Sequence, residues 1–174
     1  MNILEIWKNK IIFGYYKSPA FLYPDMENAG FSVRLFANGT VIYQTYCLDA
    51  KCQPTIKTSG RATLTEDTVS RITRALAGYA KEIDDLPEYT NNGSCDGAYY
   101  DFVFCGKYIS TLNIQRTDLT EVMERNPEYY EKYRFDMADE NTILDIFTRI
   151  TDAMKEDGMA LYLHHLEVRE EKII

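Results

Sequence analysis

The chain has 174 residues, of which 45% are hydrophobic and 26% charged; 27 acidic against 19 basic side chains give a formal net charge of -8. That apolar share is enough for one folded core and excludes a chain kept disordered by lack of hydrophobic surface. The acidic balance argues against phosphate backbones, so nucleic acid is not an expected partner, whereas a basic protein surface would be attracted.

A single domain over residues 1–174 is expected, with residues 1–30 an irregular arm, 31–168 an α+β core and 169–174 a fraying tail. In the arm, Trp7 is the only tryptophan, and Pro19 and Pro24 punctuate the aromatic stretch Phe21–Tyr23. Its apolar run Ile11–Tyr16 is far shorter than a membrane span, which takes roughly 20 residues. Glu5 interrupts the first apolar stretch and no small-residue cleavage site follows, so a cytoplasmic location is expected, with no membrane partner.

Two strand-like runs, 31–37 and 40–47, flank Asn38-Gly39, a pair suited to a type I′ hairpin turn. After the loop 48–54, the polar and β-branched run 55–63 reads as an edge strand, with Gly60 a bulge or bend. Thr65 then caps a helix whose Val69, Ile72, Leu76, Tyr79 and Ile83 recur every three or four residues, and Pro87 ends it. Turn signals fill 88–97. A second hairpin follows, 98–105 and 108–114 around Gly106-Lys107, which suits a type II′ turn. Tyr100, Phe102 and Phe104 share one face of its first strand, Tyr99, Asp101 and Val103 the other. Three helices are expected next, over 118–125, 128–134 behind Pro127, and 141–156, with Gly158 as terminator and a possible final strand within 159–168. Strands and helices that do not alternate one for one predict an α+β fold: an antiparallel sheet of four to six strands built from two hairpins, with helices packed mainly on one face.

Motifs that announce chemistry are missing. There is no phosphate-binding glycine loop, no nucleophile elbow and no His-Glu-x-x-His. Cys47, Cys52, Cys95 and Cys105 contain no Cys-x-x-Cys pair and are expected as free thiols in a reducing compartment; in an exported protein Cys47 and Cys105, each closing a hairpin strand, would be the disulfide candidates. His164 and His165 are adjacent and so face opposite ways in a strand; only His165 and Glu167 share a face, which is too sparse for a metal site. No metal or cofactor is expected.

Tyrosine is the compositional oddity, with 14 copies against one tryptophan and eight phenylalanines. Its rigid apolar ring and polar tip suit half-buried positions and interfaces. Tyr129, Tyr130 and Tyr133 form the densest group, while Tyr99 and Asp101 stand at the entrance to the second hairpin. These five are the candidate ligand- or partner-binding residues.

The stretch Ser94-Cys95-Asp96-Gly97-Ala98-Tyr99-Tyr100-Asp101-Phe102, with Asn38-Gly39-Thr40 and Pro127 before Tyr129 and Tyr130, resembles small uncharacterised proteins of Gram-positive gut bacteria. In those a Cys-Asp-Gly turn leads into an aromatic strand, and a tryptophan often stands where this chain has Tyr99-Tyr100. The resemblance implies a bacterial source and an α+β fold, and implies no activity. The expectation is a non-catalytic binding or interaction module, immunity-like or an adaptor, masking a basic partner. The alternative is a small-ligand binder or enzyme with a pocket between the sheet and the Tyr129–Tyr133 helix, drawing on Asp96, Asp101 or His165.

Overall fold

Apolar side chains on one face of the strands close a large sheet over a helical layer. The computed structural model describes residues 10–18, 30–51, 53–95 and 97–168; the expectations at Trp7, Phe21–Tyr23, Cys52, Asp96 and the 169–174 tail lie outside these. The sheet comprises β1 (Ile11–Lys17), β2 (Gly30–Phe36), β3 (Thr40–Leu48), β4 (Pro54–Thr63), β5 (Tyr89–Thr90), β6 (Tyr99–Phe104) and β7 (Lys107–Leu112). Their spatial order is β4-β3-β2-β1-β6-β7-β5; only the short β5 runs parallel to its neighbour. Helices α1 (Glu66–Gly78), α2 (Ala80–Asp85), α3 (Leu119–Arg125) and α4 (Pro127–Glu156) accompany it, and β8 (Met159–Leu161) and β9 (Leu166–Val168) form a separate two-stranded hairpin.

The α+β class and the antiparallel sheet are as expected, but the sheet has seven strands rather than four to six. The difference lies mainly in the supposed arm. Residues 11–17 are the central strand β1, pairing with β2 on one side and β6 on the other. Its Phe13 and Tyr15 are buried, and the Phe147 ring of α4 lies 6.2 and 5.0 Å from theirs and 5.8 Å from that of Phe102. Full burial of one such aromatic stabilises by roughly 1.5–3 kcal/mol. Ile72 and Leu76 of α1, and Ile143, Phe147 and Ile150 of α4, join the same core cluster. No helix among the described residues is long and apolar enough to cross a membrane.

Three further expectations are corrected, and the cysteine pair offered for an exported protein does not fit the sheet. The first hairpin turns through three residues: Gly39 donates to the Phe36 carbonyl at 2.9 Å and alone takes positive φ, which is a turn plus a glycine bulge rather than type I′. In the second, Cys105 and Gly106 both have positive φ and Phe104 pairs with Lys107, so the turn sits one residue earlier than Gly106-Lys107. The extra residue of β4 is Lys57, since Thr45 pairs with Thr58 and Tyr46 with Ile56. Gly60 instead seats the Tyr43 ring, where a Cβ would lie 2.2 Å from Tyr43 Cζ. Cys47 and Cys105 are free; Cys105 follows the level of Phe104, Phe13, Leu35 and Val41, three strands away from Cys47, which lies at the other end of β3.

The helices differ as well. The first predicted helix is broken at Tyr79 into α1 and α2, and the last two merge into the single 30-residue α4.

Candidate functional site

Pro127 in the first turn of α4 and Asn126, whose side chain accepts the Tyr129 N–H at 3.2 Å, start the helix where the sequence places it. Tyr129 and Tyr133, four residues apart, bring their rings to 4.8 Å. Both lie on the loop 91–94. The Tyr129 hydroxyl donates to the Asn92 carbonyl. The Tyr133 ring covers Gly93, whose φ is +94° and where a Cβ would stand 2.8 Å from Tyr133 Cζ.

The loop is held from within. Asn91 Oδ1 accepts the Gly93 N–H at 2.9 Å, and Ser94 Oγ donates to Asn92 Oδ1 at 2.8 Å. Beneath it, Asn92 Nδ2 donates to Glu140 Oε2 at 2.9 Å and Thr111 Oγ1 to Glu140 Oε1 at 3.1 Å. Glu140 is fully buried, and its partners, which include the backbone of Asn92 and Gln115, are all uncharged. Burial holds its carboxyl above the usual range against the pull of these hydrogen bonds. Thr90, the strand partner of Thr111, buries an Oγ1 that has no hydrogen-bond partner among the described residues. The space between sheet and helix near the tyrosines is thus occupied by Asn92, Thr111 and Glu140.

The outer side of the same helix is different. Phe135 is 72% exposed, the most exposed of the large hydrophobic side chains described, and the Arg134 guanidinium lies 4.9 Å from its ring. Glu131 and Asp139 stand one turn to either side of it. Asp136 accepts the Asn91 N–H at 3.2 Å. Partial burial, then repulsion from Asp136, raises the Asp139 carboxyl. A carboxylate beside an exposed ring can take up a cation that also brings apolar surface.

The five candidate residues divide. Tyr129, Tyr130 and Tyr133 are half-buried on α4. Tyr99 and Asp101 belong to the opposite face of the sheet, where Asp101 accepts from Ser110 Oγ at 2.7 Å and lies across from Tyr16. One strand residue on, Phe102 meets α4, so Asp101 points away from it. His165 and Glu167 do share a face, at 3.0 Å, and the His165 ring stacks on Tyr162 at 4.5 Å. His164 instead lies 3.4 Å from the Tyr100 hydroxyl, and burial, then Lys17, lowers its pKa. Among the described residues no three His, Cys, Asp or Glu side chains are grouped to hold a metal ion.

Phe135, Asp136, Asp139 and Glu140 escaped sequence reasoning because they fall in the gap between two predicted helices. Continuing the helical period across that gap would have placed Phe135 outside and Glu140 inside. Neither the protein-family models nor the curated proteins compared with this chain match it.

Proposed function

We propose that this chain is a non-catalytic binding protein that docks a basic partner protein on the outer surface of α4 around Phe135. The observation that carries this reading is Phe135 itself, left 72% exposed between acidic residues. A phenylalanine gains roughly 2 kcal/mol on full burial, and aromatic anchors ringed by charge are the pattern of interaction hot spots. Glu131 and Asp139, one turn to either side of the ring, supply the charge complement. An immunity-like or adaptor role, in which this surface masks a basic partner in the bacterial cytoplasm, is its concrete form.

The test is a titration of isotope-labelled protein with a peptide alternating arginine and leucine. Resonance shifts are expected to cluster at 131–142. Phe135→Ala should weaken binding about tenfold, and Asp139→Asn should reduce its salt dependence. Shifts spread evenly over the acidic surface, or affinity indifferent to Phe135 and to salt, would overturn the reading.

A further inference from the structure

Charge is not distributed evenly along the fold. Residues 10–63 carry six Lys and Arg against three acids, Asp25, Glu27 and Asp49, whereas residues 64–168 carry ten Lys and Arg against 21 acids. The acidic balance of the whole chain therefore conceals a basic strand sector. Its outermost strand is β4, ten residues long and, among the described residues, paired on one side only, to β3. Pro54 to Ser59 are exposed throughout, so one row of backbone amides and carbonyls there faces outward.

The two faces of this edge differ in chemistry. On the side away from the helices, Arg61 pairs in register with Ile42, and Ile42 with Arg34. Arg34 and Arg61 are exposed, and neither forms an ion pair among the described residues; Arg61 Nη2 donates to Thr40 Oγ1 at 3.2 Å. On the helix side, Thr58 and Tyr43 border a cleft of about 560 Å³, whose other wall is Met159, Leu166 and Val168 of the β8–β9 hairpin. A strand added to β4 would present alternate side chains to a basic lane and to a partly apolar cleft.

We propose that the free edge of β4 binds an extended segment of a partner protein in which acidic and apolar residues alternate, by strand addition. The carboxylates would meet Arg61, with Arg34 further in on the same face, and the apolar side chains the cleft. A second copy is the wrong occupant. In a two-fold antiparallel pairing centred on Ser59, Lys57 would fall opposite Arg61, and like charges directly opposite oppose pairing.

The test uses the full chain and a fluorescent eight-residue peptide alternating glutamate and valine, with a lysine–valine peptide as control. Binding of the acidic peptide alone is expected, together with slowed exchange of amide protons within 54–63. Arg61→Glu should weaken it about tenfold, Arg34→Glu less, and Arg61→Lys should restore most of it. Equal binding of both peptides, no protection in β4, or β4 amides already protected in a concentration-dependent dimer would overturn the proposal. Protection confined to the outer surface of α4 would overturn it too.

Discussion

Glu140 shows how one residue can be decisive without touching solvent. Its carboxyl ties the Asn92 loop and the β7 strand to α4. Glu140→Ala removes the acceptor for a buried amide and a buried hydroxyl and is expected to cost about 3 kcal/mol in urea unfolding. The pH dependence has a definite sign. Burial raises this carboxyl, so through the interval above the ordinary carboxylate range the folded protein keeps a proton that the unfolded chain has lost. The stability it contributes is full below the unfolded value and falls as pH rises through the folded one. Urea midpoints for the wild type should therefore fall more than those of Glu140→Gln over that interval. Parallel curves would show that Glu140 ionises as it does in water. No pattern in the sequence announces this residue, because a glutamate in a helix is ordinarily a solvated one.

Among the elements, those whose side-chain period matches their burial were legible. The capping threonine and the stripe Ile72, Leu76 and Ile83 located the helix start and its buried face, and the β-branched run 55–63 was placed correctly at an edge. The long helix was not, since an exposed Phe135 and a buried Glu140 invert the amphipathic pattern in its middle. Strand β1 was missed for a similar reason: Ile12 and Gly14 on one face and Phe13 and Tyr15 on the other are all buried, so it reads as a continuous apolar run without alternation. The candidate site suffered most, because its distinguishing residues lie where the period fails. The break at Tyr79 leaves Gly78 as the last residue of α1, with ordinary φ and nothing within 4 Å of where a Cβ would be. Gly78→Ala should stabilise by about 0.5–1 kcal/mol by restricting the unfolded chain, seen as a higher urea midpoint with unchanged slope; a lower midpoint would mean that the glycine serves the break itself.

For the molecule as a whole, hairpin signals gave the fold class but not the order of strands. Long-range pairing between β1 and β6 spans some 87 residues, from Phe13↔Phe104 to Lys17↔Tyr100, and no local motif encodes it. That order decides the cysteine chemistry. With Cys47 and Cys105 three strands apart, oxidation of the folded monomer should join neither to the other, as peptide mass mapping would show; a Cys47–Cys105 crosslink in the monomer would contradict the sheet order. Burial also raises the Cys105 thiol, so its alkylation should speed up as pH increases beyond the usual thiol range.

The central position of β1 also bears on how the protein is made. On a ribosome the strands β1 to β4 emerge well before α4, so the rings of Phe13 and Tyr15 lack part of their cover until Phe147 leaves the exit tunnel. Until then the nascent chain presents aromatic surface that the folded protein buries, on a sheet one edge of which awaits β6. A long helix made after all seven strands closes onto a floor already laid, and surface left open before it closes is the kind that invites aggregation.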